Sequence, residues 1–143
     1  MTFHTPNGDR QFEIPDDWWL FSGMETFSPH ESGFYLFPPD LDKQVEIVPI
    51  AEVEPVARAP GVPLFKKYSL LPILFGFTDP NCALPPVKAR VIPQPHHYRY
   101  RFTNGCHRYY ASVAAGYTRL PVIIETPEQE TRRVSNVRVG IVS

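Results

Sequence analysis

Asn104-Gly105-Cys106-His107-Arg108 brings an amide, a glycine, a thiol, an imidazole and a guanidinium together in consecutive positions. The Asn-Gly pair predicts a tight turn, and residues 106–115 read as a short helix that opens directly from it. A helix start directs backbone N–H groups outward and carries the positive end of the helix dipole. Adding His107 and Arg108 there predicts a phosphate pocket. A thiolate is favoured in such surroundings, so Cys106 is a candidate nucleophile. Each residue also has an ordinary reading: glycine in a turn, histidine as a packing or capping group, arginine as a surface charge, cysteine as a small buried residue. Their coincidence at one helix start is what points to an anion.

Elements of matching length surround this turn. Tyr98-Arg99-Tyr100-Arg101-Phe102 alternates, which predicts a strand with its rings inward and Arg99 and Arg101 outward. Tyr109, Tyr110, Val113 and Ala114 give the helix an apolar stripe, Gly116 stops it, and residues 120–125 return as a strand. Residues 45–50 and 86–93 also alternate as strands. Leu64, Phe65, Tyr68, Leu71 and Phe75 fall at helical spacing, with Pro72 set awkwardly inside that helix. Residues 1–44 form an aromatic-rich extension. In it Asp16 or Asp17 starts a short helix, and residues 33–39 read as a strand stopped by two prolines. Trp18, Trp19, Phe21 and Phe34 either cover a face of the following core or form a patch for a protein partner. Residues 127–143 are a tail or an edge strand. The expected fold is α+β in a single domain: a small mixed sheet with two or three short helices.

Composition sets the outer limits. The 143 residues suit one hydrophobic core, and 17 prolines against eight glycines exclude a helical bundle. No apolar run is long enough to span a bilayer. The start lacks the basic-then-apolar pattern of a signal peptide, so a cytoplasmic location is expected. Cys82 and Cys106 form no Cys-x-x-Cys pair, which suggests reduced thiols and no structural zinc. His96 and His97, adjacent on a turn, make a poor metal cluster with His107, and no metal site is expected. The net charge of −1 is uneven: residues 1–85 carry five Lys/Arg and twelve Asp/Glu, and residues 86–143 carry nine and three. Either the halves have complementary surfaces or the basic half faces an anionic ligand. Direct nucleic-acid binding is not expected from so small a net charge.

Asn104-Gly105-Cys106-His107-Arg108-Tyr109, with Ala111, Ala115-Gly116 and Leu120-Pro121-Val122, resembles the signature of the ParB/sulfiredoxin superfamily. The resemblance runs over about residues 45–126. It implies a nucleotide ligand, ATP or another nucleotide with magnesium, whose phosphates meet Asn104, Gly105, His107 and Arg108. It implies further contacts from Lys66 or Lys67, from Ser69, and from Arg58 in the loop after the first strand. The acidic residue that sulfiredoxin carries before the lysine is missing. Gly-Cys-His-Arg is similar to sulfiredoxin, which implies a catalytic Cys106 that reduces a cysteine sulfinic acid with ATP. Phosphoryl transfer, a nucleotide-gated switch and a non-catalytic protein-interaction module that retains the fold stay open beside it, and with them whether the chain is an enzyme.

Overall fold

A computed structural model describes residues 1–55 and 65–126. The fold is α+β. Strands β1 (Thr2–His4) and β2 (Gln11–Glu13) form an antiparallel hairpin, followed by helix α1 (Asp16–Phe21). Then come β3 (Val45–Pro49), β4 (Val53–Glu54), α2 (Lys67–Thr78), β5 (Val87–Val91), β6 (Tyr100–Asn104), α3 (Cys106–Ala115) and β7 (Arg119–Ile124). The main sheet is mixed, in the order β3-β7-β5-β6-β4. β5 lies at its centre, antiparallel to β6 and parallel to β7, and α3 carries the chain across β5 from one neighbour to the other. The turn after β6 therefore emerges beside the centre of the sheet. Among the described residues, no helix is long and apolar enough to cross a membrane.

The core lies between this sheet and helices α2 and α3, and the first 44 residues extend it. Phe12, Ile14, Trp19, Met24 and Tyr35 join Leu70, Leu74, Val87, Tyr109, Tyr110, Leu120 and Val122 in one buried cluster. Phe12 packs edge-on against Tyr110 at 5.0 Å and Phe65 at 5.9 Å, and Phe3 meets Trp19 at 5.1 Å. Aromatic pairs in these geometries add to simple area burial. Trp19 is thus a core residue, whereas Phe21 is 73% exposed and rests edge-on against Phe75.

Two expectations about elements need correction. The buried face of α2 is Leu70, Leu71, Leu74 and Phe77, and Tyr68 is 89% exposed. With so many apolar residues in this helix, spacing alone selects no face. Of the expected stripe, Leu71 is buried and Phe65 packs on the core, whereas Tyr68 and Phe75 lie on the solvent side with Pro72, and Leu64 lies outside the described residues. The predicted strand at 33–39 is absent. Its backbone still makes cross-links: Gly33 O accepts from Thr118 N and Arg119 N, and Leu36 O accepts from Leu84 N. Pro38 and Pro39, lacking N–H groups, cannot continue such a ladder. In α3 the buried residues are Tyr109, Tyr110, Ala111, Ser112 and Ala115, with Val113 and Ala114 half-buried. The expected tail at residues 127–143 lies outside the described residues.

Leu74 is fully buried between α2 and the rest of the core. Leu74→Ala is expected to cost about 2–5 kcal/mol, through lost transfer energy and the cavity left behind. Urea unfolding would read this as a lower midpoint at unchanged slope.

Candidate functional site

The site begins where β6 ends. Gly105 has φ +110°, a conformation that side chains disfavour, and this lets the chain turn from strand to helix within one residue. The first intrahelical bond runs from Tyr109 N to Gly105 O at 2.9 Å. Because the N-cap is glycine, no cap side chain competes for the first-turn amides.

A cavity of about 570 Å³ opens at this helix start. Asn104, Gly105, Cys106, His107 and Arg108 form one wall, β6 adds Phe102 and Thr103, and α2 adds Ser69 and Ile73. Two helix starts meet here: Lys66 N, at the N-cap of α2, donates to His107 Nε2 at 3.4 Å, and the Phe65 ring lies 5.7 Å from the imidazole. In that bond Nε2 accepts, so the neutral imidazole carries its proton on Nδ1. Arg108 Nη1 donates to Pro85 O at 3.0 Å. A Cβ placed on Gly105 would lie 3.1 Å from Arg108 Nη2, so the other edge of the guanidinium sits over the turn. Thr103 Oγ1 donates to Lys88 O at 3.3 Å and reaches Glu125 Oε1 at 3.4 Å.

Of the residues singled out from sequence, Ser69, Asn104, Gly105, Cys106, His107 and Arg108 come together around this cavity. Lys66 and Lys67 are exposed at the start of α2 and do not line it. The backbone N–H of Lys66 is the group of this pair that reaches the site, held on His107. Arg58 lies outside the described residues. Sequence reasoning missed Phe102, Thr103 and Ile73. The first two directly precede Asn104, and Ile73 follows Ser69 by four residues, the spacing that stacks side chains on one helix face.

The histidines divide between places. His96 and His97 line a different cavity of about 340 Å³ with Asp9, Glu54 and Tyr98, which His107 does not line. Among the described residues no group of His, Cys, Asp and Glu is arranged to hold a metal ion. Cys82 lines a third cavity, next to Gly76 and Phe77, so the two half-buried thiols do not share a pocket.

Among the described residues, Arg108 and His107 are the only basic side chains lining the candidate cavity, and no carboxylate lines it. The arrangement suits an anion. It does not suit a protein-held magnesium ion, which prefers one or two carboxylates besides phosphate oxygens. Tyr109 and Tyr110 are buried on α3 directly after the turn. Burial pushes the Tyr110 phenol up to about 12, with the nearby Cys106 adding to the shift, and pushes Tyr109 up as well. Both stay protonated at neutral pH, so neither serves as a base there.

The chain is similar in structure to the C-terminally truncated chromosome-partitioning protein ParB from Caulobacter crescentus complexed with CTP-γ-S, with a TM-score of 0.46 and 19% sequence identity. The match covers 66% of this chain and 53% of that one, so this chain spans about half of that protein's length. No protein-family model matches the chain, and no curated protein matches it.

Proposed function

We propose that this protein binds a nucleotide, with the polyphosphate seated on the Gly105 turn. One observation carries the reading: the glycine-capped start of α3, Arg108 and Ser69 converge on one cavity that no carboxylate among the described residues lines. Oriented amides and a guanidinium fork are complementary to phosphate oxygens. Phe102 and Ile73 add apolar surface on which the rest of the ligand can lie. Magnesium would arrive on the phosphates, since the described residues of the cavity wall offer hydroxyl and amide oxygens and no carboxylate.

Cys106 lines the same cavity, half-buried, at the first position of α3. This supports the narrower reading of a nucleophilic thiol that works beside a phosphorylated sulfinate. Calorimetric titration of ATP, ADP and CTP, with and without magnesium, tests binding. In Cys106→Ser, nucleotide affinity is expected to stay within about threefold of wild type, because a thiol adds little to a guanidinium and helix-start site. Repair of an over-oxidised peroxiredoxin by wild type and its loss in Cys106→Ser would assign thiol chemistry. Nucleotide turnover kept in Cys106→Ser would assign thiol-independent phosphoryl transfer.

A second reading, the non-catalytic interaction module, is favoured by the exposed apolar residues Leu20 and Phe21 on α1, beside Phe75. It gains if no nucleotide binds and a protein partner is lost on Phe21→Ser.

A further inference from the structure

The carbonyl of Pro85 accepts two hydrogen bonds, from two separate segments of the chain. Arg108 Nη1 reaches it at 3.0 Å from the anion site, and Tyr35 Oη reaches it at 2.7 Å from the N-terminal segment. A carbonyl oxygen has two lone pairs, so these donors saturate it. Tyr35 is 2% exposed, packed against Phe77 at 5.8 Å, and its ring belongs to the main core. Its hydroxyl is therefore a fixed point in the structure. Arg108 is half-buried, and no carboxylate among the described residues pairs with it. The Pro85 carbonyl is thus the fixed acceptor that orients its guanidinium. With Nη1 held there, Nη2 lies over the Gly105 turn, where an anion on the start of α3 would meet it.

We propose that Tyr35 is a positioning residue of the anion site. By holding the Pro85 carbonyl, it aims the Arg108 guanidinium at a phosphate bound on the Gly105 turn. The inference rests on the nucleotide reading above, and it makes residues 1–44 part of the binding machinery. Tyr35 and Arg108 stand 73 residues apart, and only the fold connects them. Fixing a charged donor before the ligand arrives removes an ordering cost at binding. A guanidinium serves this arrangement better than an ammonium, because it can keep one N–H on the carbonyl and offer others to the ligand.

Inorganic triphosphate titrated calorimetrically into the full chain is the test, since it probes the phosphate site without a base. Tyr35→Phe keeps the buried ring and removes only the hydroxyl. It is expected to raise the dissociation constant about five- to tenfold, as for one lost hydrogen bond. In an Arg108→Ala background the same change is expected to alter it less than twofold, because the route through Arg108 is already cut. Equal loss in both backgrounds, or no loss in either, overturns the proposal. The ligand-free protein gives a second readout, by nitrogen-15 NMR of the Arg108 guanidinium. Rotation about its Cζ–Nε bond is expected to quicken in Tyr35→Phe, and an unchanged rate overturns the link between Tyr35 and Arg108. No triphosphate binding by the wild-type protein overturns the nucleotide reading, and the binding role of Tyr35 falls with it. A changed rotation rate would then still record the contact, so the two failures are told apart.

Discussion

Replacing Arg108 with alanine is expected to raise the dissociation constant for a nucleoside triphosphate about 10- to 100-fold, which is the loss of a charge-assisted hydrogen bond worth about 1.5–3 kcal/mol. The reason is local. Among the described residues, Arg108 and His107 are the only basic side chains on the cavity wall, and His107 Nε2 is engaged with Lys66 N. No other described residue on that wall can take over a full positive charge. The guanidinium stands beside a helix start whose dipole acts in the same sense, so both contributions fall on the same phosphate. Binding should weaken with salt in the wild-type protein and less steeply in the variant, because the screened charge has been removed. Stability should change little. Arg108 is half-buried, and the Pro85 carbonyl keeps its bond from Tyr35. A Kd unchanged by the substitution, measured on a variant whose unfolding midpoint is also unchanged, would take the phosphate off the Gly105 turn.

How much of this was legible in the residues follows from how local each feature is. The turn and α3 were, because Asn104-Gly105 and Gly116 act through their own backbone: Gly105 at φ +110° and Gly116 at +92° bracket the helix as expected. Strands β3, β5, β6 and β7 were, because each has five or six residues, enough for alternation to register. Hairpin β1–β2 was not, with three residues to each strand. The face of α2 was misread because periodicity in a largely apolar helix is weak. Its orientation is set by what it packs against, and that includes Phe27, Tyr35 and Tyr117 around Phe77. In the site, the five contiguous residues could be read together, whereas Ser69 was reached through family resemblance and Ile73 not at all. The bond from Lys66 N to His107 was not legible either, because sequence shows which groups exist, not which of them faces the neighbouring helix.

Gly105→Ala should be among the most damaging single substitutions in the described structure. Two costs add. The first is backbone strain, about 1–3 kcal/mol for a side chain held at positive φ. The second is steric. The new Cβ would lie 3.0 Å from Val87 Cγ2 and 3.2 Å from Val87 Cγ1. Val87 is fully buried on the central strand β5, paired in register with Val122, so it has little room to retreat. Overpacking of this kind costs about 1–3 kcal/mol. A total of about 2–6 kcal/mol would lower the melting temperature by roughly 10–20 °C in a chain of this size. Gly116→Ala separates the two costs. Gly116 also has positive φ, but its added Cβ would meet only Pro29 Cγ, at 3.4 Å. It should lose the strain part alone, about 1–3 kcal/mol, and keep triphosphate binding. Gly105→Ala should lose both, because displacing the turn moves Arg108 Nη2, which the same Cβ would approach to 3.1 Å. Equal melting temperatures for the two variants would show that Val87 yields, and the tightness of the turn against β5 would then not be what fixes the start of α3.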